Sequence, residues 1–415
     1  MNSWIRVIRP ACGLLATASV SCSGTVSTQD GTESGSTSAS SSPDQTSASP
    51  SHSTETVADP EDSERTLGPW MQSESPELDW DPALDCKAAK VSVGANHVCA
   101  ITEGEHLFCW GDNTLFALGY VSEDDECSEG RCRGEPQPVG ELHQVEGVSL
   151  GLNHTCALTE DGFVSCWGGN MGGSLGSAVD TVCANPWATD PSHAQELGCT
   201  PYPTTIPTLE DVVAIDGWGF QCALHGRDGF VSCWGGEGLN VPTLIDGVTE
   251  AREVDHFCAL TNDNRIECWD RSTLGASYDW ELPLRGLSTG YNTACAIDSE
   301  SQVVCAGFDR DWNDGARSCL QGTPCALQVI DAVGDVVQIS AGSTGVWLRR
   351  EDGSVTAAGS SAPKALPAPA IDISAGYFGT CAVIDDGRIA CWGGEFTEKQ
   401  IGFGTDTRIY DLCEL

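Results

Sequence analysis

Cysteine is the residue type in this chain most able to do chemistry, and its spacing indicates which chemistry. Cys156 is followed ten residues later by Cys166. The same interval links Cys99 to Cys109, Cys258 to Cys268, Cys295 to Cys305 and Cys381 to Cys391, while Cys222 and Cys233 stand eleven apart. Structural zinc sites draw cysteines from pairs separated by about two to four residues, so these intervals argue against metal, and no cofactor is expected. Cross-strand disulfides fit them. Apolar and polar residues alternate over Thr155 to Thr159 and Phe163 to Trp167, and Asp161-Gly162 supplies turn chemistry between them. Folding there sets Leu158 opposite Val164 and Cys156 opposite Cys166. At a non-hydrogen-bonded position the Cα atoms would lie about 4.5 Å apart, at the near edge of disulfide geometry.

The other cysteines complete an even set. Arg6 and Arg9 followed by the short apolar run Ala11 to Val20 read as an export signal over residues 1–22. The run is too short to span a bilayer as a helix. Small residues before Cys22 resemble a bacterial lipoprotein signal, which would make Cys22 the lipidated first residue; plain secretion with cleavage nearby is the alternative. Of the 22 cysteines, setting aside Cys12 and Cys22 leaves 20, and six hairpin pairs use twelve. Close neighbours suggest Cys127–Cys132, Cys183–Cys199 and Cys319–Cys325. Cys86 and Cys413, flanking the first and last copies, would then pair and clamp a closed ring. Such usage implies an oxidising compartment.

The cysteines sit on elements that recur. Cys-Trp-Gly stands at 109–111, 166–168, 233–235 and 391–393, and Cys268-Trp269 is a shorter form. A seventh copy runs from Ser340-Ala-Gly342 to Gly359 and carries Trp347 and Ala357 where both cysteines would be. Loss of both together is what a paired contact predicts. Gly stands five residues before the first cysteine position in six copies: Gly94, Gly151, Gly217, Gly290, Gly342 and Gly376. Residues 86–415 allow about 47 residues per copy, enough for one four-stranded antiparallel blade. In the second copy the strands are read as Gly147–Leu150, Thr155–Thr159, Phe163–Trp167 and Tyr202–Ile206. Seven such sheets close radially into an all-β, seven-bladed propeller. Before it, residues 23–85 form an acidic tether, Ser/Thr-rich and poor in large apolar residues over its first forty positions, with too little to bury to offset ordering entropy.

The pattern Gly151, Asn153, His154, Cys156-Ala-Leu-Thr159, Asp161-Gly162, Cys166-Trp167-Gly168 and Leu175-Gly176 resembles the repeat of the RCC1 family, the regulators of chromosome condensation. The resemblance covers residues 86–415 and implies the same seven-bladed fold. Paired cysteines depart from the nuclear members, whose exchange-factor role uses a cytosolic small GTPase and chromatin. They are similar to secreted bacterial relatives, some of which bind and inhibit other proteins.

A formal net charge of −40 repels phosphate backbones, so nucleic acid is not an expected partner. His97, His154 and His256 each precede the first cysteine by two residues; a repeated histidine points to a structural hydrogen bond rather than catalysis. Trp110, Trp167, Trp234, Trp269 and Trp392 recur likewise and should pack between blades. Asp309 to Gly315 faintly echoes a calcium loop, but Asp314 stands where such loops need glycine and Leu320 where they need glutamate. No Gly-x-Ser-x-Gly elbow supports serine catalysis.

Three insertions follow the third strands of copies one, two and five: Val121 to Gln137, Ser177 to Thr200 and Asp309 to Leu327. Each would be pinned by its own disulfide, and they carry Asp124, Asp125, Trp187, neighbouring Tyr202 and Trp312. Equivalent positions share one face of a propeller, so a partner-binding rim is expected there. The reading is a monomeric, non-catalytic module tethered to the bacterial cell envelope through lipid alone, binding a protein or glycan. The alternatives are an extracytoplasmic polysaccharide hydrolase or lyase, favoured by a buried carboxylate pair in the central channel, and a purely structural surface protein.

Overall fold

The computed structural model describes residues 86–414 apart from 122–131, 141, 184–196, 237–238, 271–272, 291–292, 307–326, 333, 344, 359–363 and 394–406. Each repeat folds into its own antiparallel sheet, and seven of these form a β-propeller. Blade 1 runs from Ala88–Val93 to Cys132–Pro138, and blade 2 from Val145–Leu150 to Leu197–Thr205, with short Val182–Cys183 added at its edge. Blade 3 runs from Val212–Gly217 to Thr243–Leu244, blade 4 from Ala251–Asp255 to Thr273–Asp279, and blade 5 from Leu284–Thr289 to Gln328–Asp331. Blade 6 shows three strands among the described residues, Val336–Gly342 to Val355–Ala357. Blade 7 runs from Ala370–Ala375 to Arg408–Tyr410, so each blade is made from consecutive chain.

Two insertions are shorter than their sequence suggests. Gln137 and its neighbours belong to the fourth strand Cys132–Pro138, and the fourth strand of blade 2 starts at Leu197. Pro136 and Pro138 disguise the first, and Pro201 and Pro203 the second. Proline donates no ladder hydrogen bond, and these are outer strands, where it is tolerated.

The hairpin register sets Cys156 opposite Cys166 and Leu158 opposite Val164. Disulfides join Cys99–Cys109, Cys156–Cys166, Cys222–Cys233, Cys258–Cys268, Cys295–Cys305 and Cys381–Cys391, with Cα separations of 4.0 to 4.1 Å. In blade 6 Trp347 faces Ala357 at the same point of the ladder. Cys183 bonds Cys199 across the edge of blade 2, and Cys86 bonds Cys413 across 327 residues of chain. Cys132 is also disulfide-bonded. Cys22, Cys127, Cys319 and Cys325 lie outside the described residues, as do 1–85 and the loop Asp309 to Gly315.

Strands such as His97–Thr102, Val164–Gly169 and Thr380–Ile384 are buried at every position, so both faces of each blade are covered by its neighbours. The core is accordingly divided among the blade junctions. Leu107, Leu118 and Val145 pack with Trp167 between blades 1 and 2, and Leu175, Ile206 and Val212 with Trp234 between blades 2 and 3. Trp110, Trp167, Trp234, Trp269 and Trp392 are all buried. The indole Nε1 of Trp167 donates to the Ala117 carbonyl at 3.0 Å, and that of Trp234 to Ser174 at 3.1 Å, each in the preceding blade. At the closure Trp110 packs on Tyr410 with ring centroids 5.0 Å apart, beside the Cys86–Cys413 bond. No helix among the described residues is long and apolar enough to cross a membrane.

Candidate functional site: the central channel

The inner strands of all seven blades line a channel of about 210 Å³. One position recurs in every blade, the inner-strand residue paired with the first hairpin cysteine or, in blade 6, with Trp347. It is Ser92, Ser149, Asp216, Asp255, Ser288, Ser340 and Ser374 in blades 1 to 7. Six of these side chains bond to the next blade. Ser374 Oγ accepts from the Val93 amide at 3.0 Å, Ser340 from Ala375 at 2.8 Å and Ser288 from Ala341 at 3.0 Å. Ser149 Oγ donates to the Gly217 carbonyl at 3.2 Å. Asp216 Oδ1 accepts from the His256 amide at 3.2 Å, and Asp255 Oδ1 from the Thr289 amide at 3.0 Å and from its hydroxyl. These bonds stitch the ring together, through serine in most blades and through aspartate in two.

Two residues beyond each ring serine stands a glycine where the blades nearly touch. A Cβ on Gly376 would lie 2.3 Å from the Gly94 carbonyl oxygen, and one on Gly342 2.5 Å from that of Gly376. Blades 3 and 4 break this pattern. Asp216 pairs with Cys222 and Asp255 with Cys258, so the inner hairpin turn loses one residue in blade 3 and four in blade 4 relative to Ser92 with Cys99. The shortened turns carry aromatic residues. Trp218 from blade 3 stacks on Tyr377 from blade 7, centroids 5.2 Å apart and planes within 6°, which bridges the channel mouth between blades that are not neighbours. His256, Phe257 and Phe220 pack beside them.

Asp216 and Asp255 are both part-buried and both line the channel. Burial pushes the Asp255 carboxyl up to about 7 despite its bonds to Thr289. Asp216 is raised well above the ordinary range by burial and then by the charge of Asp255. The pair therefore holds on to a proton near neutral pH. Neither aspartate has an ion-pair partner among the described residues.

The histidines divide. His97 Nε2 contacts Thr155 Oγ1 at 2.8 Å in the next blade, and His154 Nε2 contacts the Gln221 side-chain amide at 2.9 Å in the next. Burial, and for His97 the neighbouring His154 second, lowers their pKa values to about 3 and about 4, so both are neutral at pH 7. His256 does not share that slot, contrary to its spacing from Cys258. The deletion in blade 4 puts it on the turn itself, at φ 50°, among the aromatic rings, where burial lowers its pKa to about 3.

Of the rim residues, Tyr202 lies on the outer strand of blade 2 and is 55% exposed. Asp124, Asp125, Trp187 and Trp312 lie outside the described residues. In each blade the turn after the inner strand and the connection after the third strand fall at the same end. Thus the Asp112 amide of the latter donates to the Asn96 carbonyl of the former at 2.9 Å, and Gly169 to Asn153 at 2.8 Å. The channel mouth and the points where the insertions leave the blades consequently share one face. Sequence reasoning missed the carboxylate pair, although the recurring Ser-x-Gly of five copies was its signal: Asp216 and Asp255 are the exceptions in that column.

The regulator of chromosome condensation (RCC1) repeat matches residues 88–115 and 145–171. The human E3 ubiquitin-protein ligase HERC2 is 27% identical over 55% of this chain and 5% of its own length. The mitochondrial RCC1 domain-containing protein RUG3 of Arabidopsis thaliana is 25% identical over 50% of this chain and 46% of its own. Protein pim1 of Schizosaccharomyces pombe is 30% identical over 43% of this chain and 36% of its own. The chain thus spans less than half the length of these relatives. Among solved structures, Prp20p of Saccharomyces cerevisiae superposes with a TM-score of 0.43 at 18% identity, covering 78% of this chain and 76% of that one. The CRINKLY WD40 ectodomain of the Arabidopsis thaliana receptor kinase ACR4 gives 0.47 at 18% identity, covering 76% and 98%.

Proposed function

This chain is a seven-bladed β-propeller with RCC1 repeats matched at 88–115 and 145–171, and on that premise we propose that it is a non-catalytic binding module whose working face is the end bearing the channel mouth. The observation that carries this reading is the coincidence at one end of the blades of three features: the aromatic turns, two carboxylates with no ion-pair partner among the described residues, and the exits of the three insertions. Loops held by a rigid frame lose little entropy on binding, and aromatic side chains dominate interface energetics. The partner is a protein or glycan at a cell envelope. Residues 1–22 act as the export signal, Cys22 carries the lipid, residues 23–85 are the tether, and the monomer presents its face outward.

Affinity capture from an envelope extract tests the reading, with the folded chain as one bait and a variant with all three insertions trimmed, and their cysteines removed in pairs, as the other. A partner retained by the full chain alone supports it. Equal retention, or none, contradicts it. Cys22→Ala should move the protein to soluble fractions, and continued membrane association would remove the anchor.

A second reading, an extracytoplasmic hydrolase or lyase acting on polysaccharide, is favoured by one observation, the Asp216–Asp255 pair holding a proton near pH 7. Two others weigh against it. One oxygen of each carboxylate is committed to the next blade as its serine counterparts are, and about 210 Å³ is small beside the roughly 300–1,000 Å³ of sites that enclose a drug-sized ligand. Turnover of an envelope polysaccharide that disappears in Asp216→Asn or Asp255→Asn would reverse this ranking.

A further inference from the structure

We infer that the channel mouth beneath Trp218 and Tyr377 receives one cationic side chain, the lysine ammonium or arginine guanidinium of a polypeptide partner, between Asp216 and Asp255. This rests on the binding reading above and adds the partner's chemistry. Three independent features lead to it.

The first is a mismatch of charge. Five ring positions are neutral serines, and serine suffices to stitch one blade to the next, so structure alone does not require a carboxylate in this slot. Blades 3 and 4 nevertheless place two there, side by side, with no ion-pair partner among the described residues. Two buried like charges are costly to a free protein and become favourable when a cation lies between them. The second is the wall. Trp218, Tyr377, Phe257 and neutral His256 surround the mouth, and aromatic faces attract a desolvated cation while sheathing its alkyl stem. The third is size and hydrogen bonding. A cavity of about 210 Å³ admits a side chain and no larger element. Among the described residues Trp218 Nε1 is a donor without an acceptor, and a peptide carbonyl next to the cationic residue would supply one. A chain of net charge −40 also raises the local concentration of cationic partners.

Calorimetric titration of the full chain, disulfides intact, tests this with Nα-acetyl-lysine methylamide and Nα-acetyl-arginine methylamide against the neutral Nα-acetyl-norleucine methylamide. The expected result is saturable binding of a cationic probe about tenfold or more tighter than the norleucine probe. Asp216→Ser/Asp255→Ser, which installs the residue found in the other five blades, should lose that preference while keeping its near-ultraviolet circular dichroism. Trp218→Phe, a single change away from the stitches, should weaken the cationic probes severalfold if the double variant does not fold. Equal affinity for lysine and norleucine probes overturns the inference, as does unchanged preference in the folded aspartate variant or saturation by no probe. Failure here is separable from failure of the binding reading. An envelope partner captured equally by wild type and the aspartate variant, but lost on trimming the insertions, removes the cation receptor and leaves the binding face.

Discussion

Blades 5, 6 and 7 and blades 3 and 4 solve the same problem with different chemistry. In each case an inner-strand side chain must take an N–H from the next blade. Serine does it in blades 5 to 7 without charge, followed by a glycine that lets adjacent backbones approach. Aspartate does it in blades 3 and 4, where the turns are shorter and aromatic rings replace the close backbone contact. The first arrangement is built for closure of the ring. The second keeps the stitch and adds charge and polarisable surface to the channel, which closure alone does not call for.

The two arrangements should respond differently to pH and to substitution. The largest effect is expected in acid and belongs to the regular blades. His97 and His154 are neutral in the folded chain, with pKa values near 3 and 4, whereas in the unfolded chain they bind protons from about pH 6.5 downward. The unfolded state therefore gains more protons as pH falls through that window, and stability should drop by roughly 2 kcal/mol for each at pH 4.5. Urea midpoints at pH 7 and 4.5 read this, and His97→Gln should flatten the acid limb. A loss smaller than the two histidines give together, about 2–3 kcal/mol at all pH values, should follow Gly376→Ala, because its Cβ would meet backbone at 2.3 Å; a loss under half of that would weaken the close-approach account of the regular blades.

Asp255 has the opposite sign. Folded, it keeps its proton to about pH 7; unfolded, it releases it near the ordinary carboxylate value, so its contribution is lost as pH rises between the two. Asp255→Ser should thus raise stability at pH 8 and leave it nearly unchanged near pH 3. An equal effect at both would mean that charge is not what distinguishes blades 3 and 4. The smallest change is expected at Tyr202, exposed on an outer strand of blade 2. Tyr202→Ala should alter stability by less than about 0.5 kcal/mol, so any loss of partner capture there would report binding directly.

Much of this architecture is legible in the sequence alone. Cys156 with Cys166 around Asp161-Gly162 fixes a hairpin register, because a one-residue slip would send every side chain to the opposite face and part the two cysteines. Repetition of that hairpin with Trp-Gly behind it requires neighbours of the same kind on both sides, hence a ring. The paired replacement by Trp347 and Ala357 is likewise explained by their facing positions. What is not legible is set by length rather than residue type. Counting back from Cys258 puts His256 in register with His97, but blade 4 lacks four turn residues, and the missing glycine at 253 is the local sign of it. The outer strands are hidden because Pro136, Pro138, Pro201 and Pro203 read as loop. The stacking of Trp218 on Tyr377 joins residues 159 positions apart and depends on ring closure, which no local pattern encodes.

Blades 3 and 4 place two carboxylates of like charge in a confined channel. Site-resolved ¹³Cγ titration of Asp216 and Asp255 in the folded chain tests this most directly. The pair should retain a proton to about pH 7, with Asp255 titrating near there and Asp216 shifting as its neighbour ionises. Two independent midpoints near 4 would mean that both are ordinary, well-solvated surface carboxylates, and the contrast with the serine blades would lose its chemical meaning.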